Sequence, residues 1–196
     1  MIENLIVESR ALREIEVLAY DWRRSLMVED QWAPDLIDIL EQKLPGLFPG
    51  FEFVCQSDAF LGGANAFTRH PRIFARASVR EGVRNWNGRD RFTLAHELGH
   101  LFMHPEAPAP RMVLKNRAAP IDDLRKSAEW QANKFATFFL MPEHIVRQFS
   151  SAEELAEHCR VSLEAARNRF KEVGHFKPPL SPTFNAFLDE WKKKYT

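Results

Sequence analysis

Phe92-Thr-Leu-Ala-His96-Glu97-Leu-Gly-His100-Leu-Phe-Met-His104 is the stretch on which the reading of this chain turns. Its apolar residues recur at helical spacing and Pro105 follows at once, so the pattern predicts a helix from about 90 to 104. On that helix His96 and His100 stand four apart and share a face, within reach of a single metal ion. Glu97 lies about 100° round from His96, close enough to meet a water there without occupying a ligand position. Two neutral imidazoles and a carboxylate suit Zn2+, with a fourth position open to water, and Mn2+ is the other divalent ion to consider. Glu97 is then the candidate general base, taking the proton of a water whose pKa the metal lowers.

The segments around this helix set the fold class. Residues 10–20 and 34–44 carry apolar residues at helical spacing, and Pro45-Gly46 is expected to stop the second. Residues 51–55 and 72–79 read as strands, the latter with Arg72, Phe74 and Arg76 opposite Ile73, Ala75 and Ala77. Gly62-Gly63 is a turn or bulge that leaves room for a strand near 65–68, and Asn87-Gly88 is another turn signal. A further helix is expected from about Asp122 to Met141, stopped by Pro142. Helix, short sheet and helices in that order make an α+β pattern.

A third metal ligand has to come from another element. The 122–141 helix offers Glu129, with Asn133 four residues on and Ala132 and Ala136 beside them, small enough to let two helices approach closely. Asn133 is placed to accept a hydrogen bond from a ligand imidazole and so fix its tautomer. Glu106, Asp122, Asp123 and His104 stand as alternatives for the third ligand. His104 lies two turns beyond His96 and about 80° off its face, which suits a contact behind a ligand better than ligation.

Composition excludes several other classes. Among 196 residues, 27 Lys+Arg balance 27 Asp+Glu, so there is no chain-wide basic footprint for nucleic acid. The charge is uneven, however: residues 1–45 hold ten acids against five bases, and seven arginines lie between Arg69 and Arg91. That arginine run is read as a solvated sheet edge, or as the complement of an acidic partner or of the acidic segment 1–45. Cys55 and Cys159 make neither a disulfide framework nor a metal knuckle and read as small buried hydrophobes. The longest apolar run, residues 135–141, is far below the roughly 20 residues that span a bilayer, and the charges in the first 20 residues predict no secretory leader. A cytoplasmic protein without membrane association is the expectation.

Taken in order, residues 92–104, Glu129-Trp-Gln-Ala-Asn-Lys-Phe-Ala136 and Leu140-Met141-Pro142 resemble the ImmA/IrrE family of metallo-endopeptidases. The resemblance is close over 92–142 and looser over the preceding strands and residues 151–174. It implies a small zincin-like (gluzincin-like) metalloprotease domain with a short mixed sheet packed on helices. It implies His96, His100 and Glu129 as zinc ligands and Glu97 as base. It also implies a partner: a helix-turn-helix repressor or antitoxin, cleaved, or held uncut by a non-proteolytic toxin or regulator of the same fold. Gln131 stands where many relatives carry a second acid, at a position that need not touch the metal. The oxyanion-stabilising residue stays open among His70, His104, His144 and the Arg69–Arg91 run.

The domain reading is a metallopeptidase domain over 1–142, including the N-terminal helices, and a C-terminal helical extension over 143–196 packed on it. Ser151-Ala-Glu-Glu154 fits a capping box, Arg160-Val161 a turn, and Ser162 a second cap, giving a helix-turn-helix outline. Acids and bases balance there, and phosphate binding needs a net basic face, so direct DNA binding is not the expectation. His104 and Asn133 complete the site as residues contacting the ligand imidazoles.

Overall fold

The computed structural model describes residues 6–57, 59–61, 63–105 and 125–174. Glu106, Asp122 and Asp123, the alternative ligands, lie outside these, as does the chain beyond 174. Helix α1 (Leu12–Ser25) opens with the Glu14 carboxylate accepting from the Ala11 N–H at 2.7 Å, and buries Ile15, Leu18, Ala19 and Trp22. Asp35 caps the next helical stretch, its Oδ1 accepting from the N–H groups of Ile37 (2.9 Å) and Asp38 (3.2 Å).

Pro45-Gly46 does not end that stretch as expected. Helix α2 (Leu36–Asp38) passes through a π turn (Ile39–Lys43) into α3 (Leu44–Leu47). The Leu44 N–H reaches back five residues to the Ile39 carbonyl. Pro45 then falls in the first turn of α3, where a missing N–H and a fixed φ are tolerated.

Strands β1 (Glu52–Gln56), β2 (Ala66–Arg69) and β3 (Arg72–Arg76) form a mixed sheet in the order β1-β3-β2, β1 parallel and β2 antiparallel to β3. Two expectations change here. The strand expected over 72–79 ends at Arg76, because Val79 and Val83 bury at helical spacing and Ala77–Arg84 is helix α4. Strand β3 is also central rather than an edge. The arginines of the Arg69–Arg91 run are not one solvated patch: Arg72 pairs with Glu52 (2.6 Å), Arg80 with Glu41 in the acidic segment, and Arg91 is fully buried.

Helix α5 (Gly88–Met103) begins earlier than predicted, because Asn87 is a cap rather than a free turn. Its side chain accepts from the N–H groups of Arg89 (3.0 Å) and Asp90 (3.1 Å). Helix α6 (Ala128–Leu140) begins later than the expected 122. Ser127 caps it through the Trp130 N–H (3.1 Å), while the Ser127 backbone bridges to Ile6. Helices α5 and α6 pack on each other, and α1 packs on α6. Trp22 of α1 stacks on Phe102 of α5, ring centroids 3.7 Å apart.

Helix α7 (Glu143–Val146) leads to the pair α8 (Ala152–Cys159) and α9 (Leu163–Gly174). Arg160, left-handed at φ 55°, closes α8. The turn after it sits on the start of α5, where a Cβ on Gly88 would come within 3.0 Å of the Val161 backbone. On α9, Arg169 is buried: it donates to the Met141 carbonyl (2.9 Å), pairs with Glu16 and lies over the Phe138 ring. Arg167 pairs with Glu153. Cys159 is fully buried and burial pushes its thiol up to about 11, whereas Cys55, on the outer strand β1, is exposed, against expectation. No helix of the described residues is long and apolar enough to cross a membrane.

Candidate metal centre

Helix α5 presents His96 and His100 four residues apart, and α6 presents Glu129 opposite them. Potential donor atoms of the three lie within 4.8 Å of one another. The two imidazole Nε2 atoms are 3.0 Å apart, and Glu129 places Oε2 at 3.3 Å from His96 Nε2 and Oε1 at 3.3 Å from His100 Nε2. Tetrahedral donors at about 2.0–2.1 Å from a zinc ion stand about 3.3 Å from each other, so the spacing fits. The atoms themselves also call for a cation. Glu129 Oε1 is buried without a hydrogen-bond partner among the described residues. Two Nε2 lone pairs at 3.0 Å repel unless a proton or a cation lies between them. The residues present therefore fit a divalent metal.

Electrostatics lean the same way. Burial pushes the Glu129 carboxyl up, but the His100 and His96 imidazoles beside it outweigh that and hold it well below the ordinary carboxylate range. Burial pulls His96 down, yet Glu129, Glu97 and Asn133 together leave it raised. Glu129 is thus an anion facing the imidazoles.

Behind the ligands, His96 Nδ1 donates to Asn133 Oδ1 at 3.0 Å, the contact expected from the sequence. His104 reaches His100 from the helix end, Nδ1 to Nδ1 at 3.1 Å. Its other nitrogen meets Gln131 Oε1 at 3.0 Å, so neither ring nitrogen faces a substrate as an oxyanion donor. His144 is engaged with the Glu29 carbonyl (2.9 Å) and His70 packs on the Phe48 ring.

Glu97 is 6% exposed, and its Oε2 accepts a 2.7 Å hydrogen bond from the Thr68 hydroxyl of β2. Thr68 is a site residue that sequence reasoning missed. It also marks which sheet edge adjoins the centre. Arg76 N donates to the Asn65 carbonyl, so by antiparallel alternation Phe67 and Arg69 turn their backbones toward β3, and Ala66 and Thr68 turn theirs outward. Gln131 is the second residue missed. Its amide Nε2 donates to the backbone carbonyls of Glu8 (2.7 Å) and Arg125 (2.6 Å).

Among curated proteins, none matches this chain. Residues 58–171, which contain β2, β3, both site helices and most of the α8–α9 pair, match the family described as the IrrE N-terminal-like domain, a family of peptidases. With more than half its length matched and a His-His-Glu cluster able to hold a metal, the chain belongs to the IrrE N-terminal-like metallopeptidases.

Proposed function

We propose that the protein is a zinc-dependent endopeptidase of the cytoplasm that cuts an extended segment of a helix-turn-helix repressor or antitoxin. The observation that carries the catalytic reading is the buried Glu129 carboxylate, its two oxygens each 3.3 Å from one imidazole Nε2 and its Oε1 without a hydrogen bond among the described residues, with Glu97 on the adjoining face of the histidines' helix. His96, His100 and Glu129 would hold the ion. When bound, it polarises the scissile carbonyl and acidifies water. Glu97 takes a proton from the attacking water and hands it to the departing amide nitrogen. Thr68 fixes the carboxylate for that transfer through Oε2. The outward backbone of Ala66 and Thr68 gives an extended substrate a strand to pair with. Strand β3, inside the sheet, has no free edge to offer for this role.

The partner reading rests on the family resemblance and on charge. Asp30 and Asp38 of the acidic N-terminal region are exposed, at 91% and 47% of their side chains, and suit a basic DNA-binding domain through steering. Glu97→Gln, incubated with a helix-turn-helix repressor encoded beside this gene, is expected to retain metal and bind it intact. Wild type cuts it, about 10²–10⁴ faster than the variant. Mass spectrometry of the products with and without chelator reads both. Wild type that holds the repressor uncut under all conditions would refute the endopeptidase and leave the non-proteolytic regulator.

A further inference from the structure

Resting on the metal-site reading above, we infer that Gln131 is a positioning residue: through His104 it fixes the tautomer in which His100 turns its Nε2 lone pair to the ion. The direction of every hydrogen bond in the chain follows from its far end. The Gln131 amide nitrogen lies 2.7 Å from the Glu8 carbonyl oxygen and 2.6 Å from that of Arg125. Both are acceptors only, so the two amide hydrogens are spent there. A flipped amide would set its oxygen against two carbonyl oxygens, which excludes that orientation. Oε1 is therefore the atom facing His104 Nε2 at 3.0 Å, and it can only accept. His104 must carry its hydrogen on Nε2, and as a neutral ring it offers a lone pair on Nδ1. That lone pair faces His100 Nδ1 at 3.1 Å, so His100 carries its hydrogen on Nδ1. Nε2 of His100 is left as an acceptor, directed at the cluster with His96 and Glu129.

The device replaces the carboxylate that commonly stands behind a ligand imidazole. A carboxylate, which also only accepts, would impose the same direction but add charge. An amide anchored by both its hydrogens imposes one direction and adds none. It also ties the ligand to the N-terminal strap: Val7 N donates to the Lys126 carbonyl beside it, and the Glu8 carbonyl is one of the two anchors. His104 is 6% exposed and Gln131 fully buried, so bulk water does not compete for these bonds.

The test reads protons rather than turnover. Full-length protein with 15N-labelled histidine is examined by long-range 1H–15N correlation, metal-free and zinc-loaded, above the imidazole titration range. His104 is expected as the Nε2–H tautomer and His100 with a proton on Nδ1 in both forms. Gln131→Met, similar in shape but with no donor and only a weakly accepting sulfur, is expected to give His104 mixed tautomers in the metal-free protein. Its zinc affinity, by chelator competition, is expected to fall about 10–100-fold. A wild-type His104 protonated on Nδ1 overturns the inference whether or not the variant folds. So does a Gln131→Met protein with wild-type tautomers and zinc affinity. Wild type with the stated tautomers that takes up no zinc would overturn the metal-site reading and leave the direction of the chain standing.

Discussion

Gly99 lies between the two histidines of α5, and replacing it with alanine sets helix propensity directly against packing. Alanine in place of glycine inside a helix is worth about 0.8–1 kcal/mol in favour of the variant. Against this, a Cβ at Gly99 would stand 3.0 Å from Ala132 Cα, 3.1 Å from Phe135 Cβ and 3.2 Å from the Ala132 carbonyl oxygen of α6. Carbon pairs are comfortable at about 3.5–4.0 Å, so the helices must part by roughly 0.5 Å. Two of the three contacts are backbone, which cannot swing aside. Overpacking of this kind costs about 1–3 kcal/mol, so the metal-free variant should be destabilised by up to about 2 kcal/mol net. That lowers Tm by about 2–4 °C per kcal/mol for a domain of this size. The same movement draws Glu129, one turn before Ala132, away from His96 and His100, whose present separations of 3.3 Å suit one ion. Zinc affinity should fall at least about tenfold, a loss of about 1.4 kcal/mol. Thermal unfolding of metal-free protein and competition with a chelator measure the two effects separately. A Gly99→Ala protein that is stabilised by about 1 kcal/mol and keeps wild-type zinc affinity would refute the argument, since propensity alone would then have decided the outcome.

Two further predictions concern the base and a buried acid. Thr68→Val removes the hydroxyl that holds Glu97 while keeping the side-chain shape. Hydrogen bonds to charged groups are worth about 1.5–3 kcal/mol, so kcat on any substrate wild type cleaves should drop roughly 10–100-fold with metal content unchanged, and unaltered kcat would remove Thr68 from the site. Asp21, 5% exposed with Oδ1 unpartnered, has its pKa raised by burial against a smaller opposing effect of Arg24. A raised folded-state pKa means the folded protein binds the proton more tightly, so this stabilisation is present below the unfolded value of about 3.9 and is lost as pH rises through the folded one. Wild-type stability minus that of Asp21→Asn, from urea unfolding, should therefore decline between pH 4 and pH 7, and a constant difference would show that Asp21 is not desolvated.

What could be read from the sequence is what depends on local spacing. The α5 face carrying His96 and His100 follows from a four-residue interval on a helix bounded by Pro105. Glu129 and Asn133 follow from the same interval on a second helix with small neighbours. Strand order does not follow, because it is set by pairing between segments: β3 reads as an outer strand until β1 and β2 are seen on either side of it. Thr68 looks like any strand threonine, and only the packing of β2 on α5 brings its hydroxyl to Glu97. Gln131 is hidden more deeply. Its part depends on the Glu8 carbonyl, 123 positions away, and on a backbone bridge between Ile6 and Ser127 that no side-chain pattern announces. The turn signal at Asn87-Gly88 was ambiguous for a different reason: the Asx geometry of a turn and of a helix cap is the same.

Helix α6 serves the histidines of α5 and of its C-cap, His104, at three successive alternate positions. Glu129 faces His96 and His100, Gln131 faces His104, and Asn133 faces His96. One helix therefore supplies the third ligand and both tautomer-fixing contacts, and the distance between α5 and α6 governs all three at once. That distance is set where Gly99 meets Ala132, inside the ligand interval itself. Metal affinity and fold stability are consequently linked through one interface: an ion held at 100 times its Kd adds about 2.7 kcal/mol to the folded state. Separating the helices weakens the ion's grip and forfeits part of that term, whereas Gln131→Met alters a proton's position and leaves the spacing in place. Zinc-dependent stabilisation should thus fall in both variants. Only in Gly99→Ala should the metal-free protein lose stability by overpacking rather than by a lost hydrogen bond. The His104 tautomer distinguishes them, remaining Nε2–H in Gly99→Ala wherever the Gln131 contact survives and mixing in Gln131→Met.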